Sequence, residues 1–152
     1  MQDTPKRVYI ETSVFSGYGR QRFNEPLERL FRMILDGQII PVISALTLRE
    51  LYNENTPREV LENLNRIEFF EKYETTEEMQ NLVNKYMQKK IVIKKYTDDA
   101  LHIAIATVLN VDILISWNLS HIVNKYTIPL FNKVNIEEGY NPIKIMKPEE
   151  IM

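Results

Sequence analysis

The chain has 152 residues, 44% of them hydrophobic and 26% charged, with a formal net charge of −2. This balance fits one folded domain over residues 1–152 and argues against a disordered chain or one that binds nucleic acid by bulk charge. There is no cysteine, which excludes disulfides and thiolate metal ligands. No apolar run approaches the roughly 18 residues of a membrane span, and the start, MQDTPKRVYIE, has no signal-peptide pattern, so a cytoplasmic protein is expected.

Residues 7–11 (RVYIE) read as a short strand ending at a polar Thr12-Ser13 step. Leu27, Leu30, Phe31, Ile34 and Leu35 follow the spacing of an amphipathic helix, with Pro26 at its start and Gly37 just past its end. Residues 42–44 should form the next strand, with Pro41 confined to its first position. Ser44 can then cap a helix through Asn53 whose buried stripe is Leu48, Leu51 and Tyr52. A further helix over 57–66 carries Val60, Leu61 and Leu64, and residues 67–73 are a candidate strand.

Thr75 and Glu78 have capping-box spacing ahead of a helix with Met79, Leu82, Val83, Tyr86 and Met87 on its apolar face. Residues 91–96 are strand or loop, and Asp98 starts a helix with Leu101, Ala104, Ile105 and Val108 facing inward. The run DILIS at 112–116 has the continuous apolar character of a fully buried strand, and 143–146 adds a short last one before Pro148. Strands alternating with helices imply a mostly parallel sheet covered on both faces, with its site beyond the carboxyl ends of the strands.

Glu11, Glu50, Asp98, Asp99 and Asn118 all fall where that edge should be. Carboxylates gathered there must take up protons or hold a cation, because two unit charges about 4 Å apart repel by roughly 4 kcal/mol at an effective dielectric near 20. Oxygen ligands, no cysteine and only two histidines favour a hard ion, Mg2+ or Mn2+. Such an ion can activate water for attack on a phosphodiester and neutralise charge on phosphate oxygens.

Each residue also has an ordinary reading. Glu11 can be a solvated strand end, and Glu50 can face solvent or pair with a lysine. Asp98 and Asp99 suit a helix start, and Asp112 suits a structural role at the far end of its strand. His102, one turn after Asp99, can be a partner of the site or a packed core histidine, and His121 can pack or cap near Trp117. Trp117 can stack on a base or anchor the rim. Lys85, Lys89, Lys90, Lys94 and Lys95, with Arg20 and Arg22, can hold phosphates or form solvated surfaces.

Taken in order, VYIETSVFSGY, ISALTLRELYN, DDALHIAIATVLNVDILISWNLSHI and VNIEEGYNPIKIMKPEEI resemble the PIN-domain nuclease family, near the VapC-like toxins of toxin–antitoxin pairs. The resemblance spans nearly the whole chain and implies a three-layer α/β/α sandwich with a central parallel sheet. It implies a divalent-metal-dependent ribonuclease acting on RNA, with an antitoxin protein as a possible partner and a homodimer formed through helices in the 26–90 region. By position it assigns Glu11, Glu50 and Asp99 as the acids, Asp99 because it directly precedes the Ala-x-His-x-Ala pattern, which leaves Asp98 as helix cap. Thr12 or Ser13 matches a hydroxyl that holds metal-bound water or phosphate. Two departures stand out: Glu11 replaces a common Asp, and Asn118 occupies a position that is often Asp, offering an amide oxygen to metal or water without negative charge.

Two rivals accompany the nuclease reading. One is a PIN-fold module with a weakened site that binds RNA or protein without cleavage. The other is a phosphohydrolase with a covalent aspartate, disfavoured because Glu11-Thr12-Ser13 lacks an Asp-x-Asp after the first strand.

Overall fold

A parallel sheet forms the middle layer of the computed structural model, which describes residues 4–17, 21–53 and 55–151, apart from the side chains of 21–23. Its strands are β1 (Lys6–Ile10), β2 (Ile39–Ser44), β3 (Glu71–Tyr73), β4 (Ile113–Ile115) and β5 (Lys144–Met146), in the order β3-β2-β1-β4-β5. The connecting helices are α1 (Thr12–Ser16), α2 (Gln21–Leu35), α3 (Ala45–Leu51), α4 (Arg58–Asn65), α5 (Glu77–Gln88), α6 (Thr97–Val108) and α7 (Ile128–Glu137). The fold is therefore α/β, with a five-stranded parallel sheet flanked by helices.

Alternation along each strand divides the core in two. Val8, Ile10, Ile43, Ile113 and Ile115 turn to a core completed by α2 and α4. Tyr9, Val42 and Leu114 turn to the other, completed by α5, α6 and α7. Helices over both faces explain why these strands read as apolar runs rather than as polar-apolar alternation. The α6 helix is buried at every residue from Ala100 to Thr107, which makes it the central element of its layer.

Chain order places the site. The path β1–β2–β3 builds one flank, and β4 then returns to the other side of β1. The two halves diverge above the carboxyl ends of β1 and β4, where sheets of this kind leave a crevice. At the opposite edge Asp112 has the structural role its position implied: its Oδ2 accepts the Arg7 N–H at 2.8 Å. The Arg7 guanidinium also donates to Glu71 Oε1 at 2.8 Å and to Leu109 O at 2.8 Å, tying β1 to β3 and to the end of α6.

Several boundaries differ from those the residues imply. The α2 helix begins at Gln21, so Pro26 lies inside it, at the cost of one backbone bond near its start. Leu35 closes that helix and is 82% exposed, because the chain turns at once through Gly37, whose φ of +77° suits glycine. Pro41 is third in β2, ahead of the point where pairing with β3 begins at Val42, so a missing N–H there is tolerated as on an edge. Ser44 does cap α3, accepting from Thr47 N at 3.2 Å, but the helix ends at Leu51 and Tyr52 is exposed.

Thr76 rather than Thr75 caps α5, accepting from Met79 N at 3.3 Å. Residues 94–96 form a 3-10 turn with no strand, and the cap of α6 is Tyr96, not Asp98. Asp98 is an exposed second residue of that helix, 3.8 Å from Arg49. The candidate strand over 67–73 shortens to β3.

Burying a leucine side chain contributes about 1.5–3 kcal/mol, and truncation adds a cavity penalty. Leu114→Ala, at a fully buried central position, should lower unfolding free energy by about 2–5 kcal/mol in urea titration. Leu35→Ala should change it by less than about 0.5 kcal/mol.

Candidate metal centre

Strand register brings the first acid to its partners. Tyr9 pairs with Leu114 and Ile10 with Ile115, so the next positions in line are Glu11 and Ser116. On the other side Tyr9 pairs with Val42, which sets Glu11 level with Ser44. Glu11 still bonds the sheet through its N–H to Ile115 O at 3.1 Å, and it shares the face of Tyr9, toward α6. It stands at the N-cap of α1, yet its side chain makes no cap bond. Ser13 Oγ and Ser116 Oγ instead both donate to Glu11 Oε1 at 2.5 Å, and the residue is only 5% exposed. A solvated strand end is thus ruled out.

The two serines are themselves held. Ser13 Oγ accepts from Trp117 N at 2.8 Å, and Ser116 Oγ accepts from Asn118 N at 2.9 Å. Trp117 acts as a rim anchor, its indole N–H donating to Glu149 Oε1 at 2.8 Å.

Glu50 arrives from the last turn of α3. Its Oε1 accepts from Thr12 Oγ1 at 2.6 Å and faces His102 Nε2 at 2.7 Å. Burial opposes its ionisation, but the hydrogen bonds with His102 and Thr12 outweigh that and hold its pKa below the usual range. Carboxylate oxygens of Glu11 and Glu50 and a ring nitrogen of His102 lie within 4.8 Å of one another. His102 is fully buried and bonded at both nitrogens, to Glu50 and to Tyr9.

Asp99 borders this group without joining its tight trio. It sits in the first turn of α6, its Oδ2 3.4 Å from His121 Nδ1. Burial, above all, pushes its pKa up, against a hydrogen bond with Asn118 that acts the other way. The Asn118 Oδ1 accepts from His121 N at 3.1 Å, so that oxygen is already engaged in the turn after β4. The His121 ring stacks on Tyr96 with centroids 3.7 Å apart.

Thr12 and Ser13 both spend their hydroxyls on the acids. Lys94 and Lys95 precede α6 directly, and Lys85, Lys89 and Lys90 are exposed on α5 and just beyond it. Arg20 and the side chain of Arg22 lie outside the described residues.

The donor set fits a hard divalent cation. Glu11 and Glu50 each have one oxygen held by two protein partners, and none of the hydrogen bonds among the described residues engages the other. No lysine or arginine forms an ion pair with Glu11, Glu50 or Asp99 among the described residues. Two close anions therefore lack a fixed cationic side chain, and hydrogen-bonded carboxylates are the usual form of oriented metal ligands. Sequence reasoning did not identify Ser116, Tyr9 or Ser44. The signal was the strand period, which sets Glu11 level with both serines once register is known.

The raised pKa of Asp99 has a stability consequence. The folded state holds this proton more tightly than the unfolded chain, so the contribution is present at low pH and is lost as pH rises through the folded pKa. In metal-free buffer Asp99→Asn should melt above wild type at pH 7, and the gap should close as pH falls below the ordinary carboxylate range.

Among solved structures, the chain is similar to that of VapBC2 from Rickettsia felis bound to a DNA fragment from their promoter. The TM-score is 0.55 at 13% identity, with 91% of this chain and 96% of that one covered. No curated protein matches the chain significantly. The model of the PIN domain matches residues 7–120, a span that includes Glu11, Glu50, Asp99, His102 and Asn118. The chain belongs to the PIN-domain family.

Proposed function

We propose that the protein is a divalent-metal-dependent endoribonuclease that hydrolyses RNA phosphodiester bonds, the toxin half of a toxin–antitoxin pair. The observation that carries this reading is the pairing of buried Glu11 with half-buried Glu50 at the sheet's switch point, each with one oxygen held and the other without a hydrogen bond among the described residues. PIN domains are typically metal-dependent nucleases, and the fold likeness to VapBC2 supports a protein partner of the antitoxin kind. Glu11 and Glu50 would bind Mg2+ or Mn2+ directly. Asp99 would complete the acidic set through a water, since magnesium keeps several. When bound, the ion lowers the pKa of its water and neutralises phosphate charge.

The residues themselves divide the remaining work. Ser13 and Ser116 fix Glu11, and Thr12 and His102 fix Glu50, so neither carboxylate must reorganise when a substrate arrives. Lys94 and Lys95, exposed a few residues before Asp99, would meet phosphates at the rim. A homodimer through the 26–90 region belongs to the same reading.

One observation favours a second reading, a PIN-fold module that binds RNA or protein without cutting. Asn118 adds no charge, and its side-chain oxygen is engaged by His121 N–H. On that reading Asn118→Asp creates activity that wild type lacks.

The test is cleavage of a mixed RNA pool with Mg2+ or Mn2+. Wild type should cut, chelator should stop it, Glu50→Gln should lose roughly 100-fold or more, and Asp99→Asn the roughly 10–100-fold typical of removing an outer partner. Equal cleavage by wild type and Asp99→Asn would remove Asp99 from the site. Chelator-indifferent binding with no turnover would favour the binding module.

A further inference from the structure

We infer that His102 is a positioning residue, fixed as its Nε2–H tautomer by a buried hydroxyl chain from Ser44 through Tyr9, and that this chain aims the Glu50 carboxylate toward Glu11. The inference rests on the metal-centre reading above and adds three residues that the acidic pattern does not explain.

Ser44, Tyr9 and His102 are each 0% exposed, so none of their polar atoms can turn to bulk water. Ser44 Oγ lies 2.7 Å from Tyr9 Oη, Tyr9 Oη lies 2.6 Å from His102 Nδ1, and His102 Nε2 lies 2.7 Å from Glu50 Oε1. Each hydroxyl has one proton to give, which limits how the chain can be wired. An ionised Glu50 only accepts, so Nε2 must carry hydrogen; a bare nitrogen would set two acceptors against each other at 2.7 Å. A neutral ring protonated at Nε2 has its lone pair at Nδ1, which takes the Tyr9 proton. The Tyr9 oxygen then accepts from Ser44, and the Ser44 oxygen accepts from Thr47 N at 3.2 Å.

Every proton in this arrangement points toward the carboxylate. The opposite wiring sends the Tyr9 proton to Ser44, protonates Nδ1 and leaves Nε2 bare against Glu50.

Packing alone does not require the hydroxyl. The Tyr9 and His102 rings meet edge to face with centroids 5.7 Å apart, a contact phenylalanine would preserve. The strand β1 thus carries one glutamate at its end and, two residues earlier on the same face, the group that orients the other glutamate's partner. Partners that orient a ligand in this way commonly account for 10–100-fold in metal affinity.

The experiment compares the full chain with Tyr9→Phe and with a control, Tyr86→Phe. Tyr86 is also 0% exposed in the same core, and its hydroxyl donates to Asn135 Oδ1. Mn2+ alone is titrated by electron paramagnetic resonance, and the His102 tautomer is read from 15N–1H correlation spectra without metal. Wild type should show the Nε2–H form. Tyr9→Phe should lose that fixed form and bind Mn2+ about 10–100-fold more weakly, while Tyr86→Phe keeps wild-type affinity.

An Nδ1–H or doubly protonated ring in wild type would overturn the inference. So would equal Mn2+ affinity in Tyr9→Phe, or an equal loss in Tyr86→Phe. If wild type binds no Mn2+, the metal-centre reading fails, and the tautomer spectra of wild type and Tyr9→Phe still decide the wiring. Should Tyr9→Phe not fold, His102→Gln, which keeps an N–H donor, should bind Mn2+ more tightly than His102→Leu; equal affinities would overturn the role.

Discussion

Two carboxylates are held side by side where the sheet's halves diverge, and much of the polar structure around them follows from that. The Glu11 and Glu50 carboxylates lie within 4.8 Å of each other, a separation at which two bare unit charges repel by about 3.5 kcal/mol at an effective dielectric near 20. The chain opposes this cost with donors rather than with counter-charges: two serine hydroxyls on one acid, a threonine and a histidine on the other. A lysine or arginine in their place would neutralise the pair permanently. Neutral donors orient the carboxylates and leave their charge available to a ligand.

The layers of the fold converge on the same point. Alternation in β1 sends Val8 and Ile10 into one core and Tyr9 into the other, and the next residue in phase with Tyr9 is Glu11. The α6 helix, buried nearly all round, is fixed in rotation and depth, and it carries His102 beneath Glu50 with Asp99 a turn nearer the rim. A helix with a solvated face would have more freedom to shift. The apolar packing of Ala100, Ile103 and Ala106 is therefore part of how the site is positioned.

Much of this was legible in the residues because the signals were strong and local. Buried parallel strands announce themselves as runs such as VYI and ILI, and the spacing of Met79, Leu82, Val83 and Tyr86 is that of one helix face. The edge carrying the acids followed from strand-helix alternation. Boundaries were less legible where a cap or turn competes with propensity: Thr76 took the role that spacing gave to Thr75, and Tyr96 took that of Asp98. The partners of the acids were hidden for a different reason. Ser116 is far from Glu11 in sequence, and only strand register, a tertiary property, sets it level with the acid. The choice of His102 over Asp99 as the closest neighbour of the glutamates likewise depends on how deeply α6 is seated.

The clamp on Glu11 also constrains how this sequence can change. Its Oε1 is reached from both sides, by Ser13 on the following helix and by Ser116 at the end of a strand that arrives about a hundred residues later. A drift to aspartate would withdraw the carboxylate by one methylene from two hydroxyls that are themselves held by the Trp117 and Asn118 N–H groups and cannot readily follow. Position 11 should therefore be coupled in descent to positions 13 and 116, with the longer acid and its serines inherited or exchanged together. An aspartate at position 11 would need different neighbours to match its shorter reach. The extra methylene is tied to serines on two separate elements and is not free to vary alone.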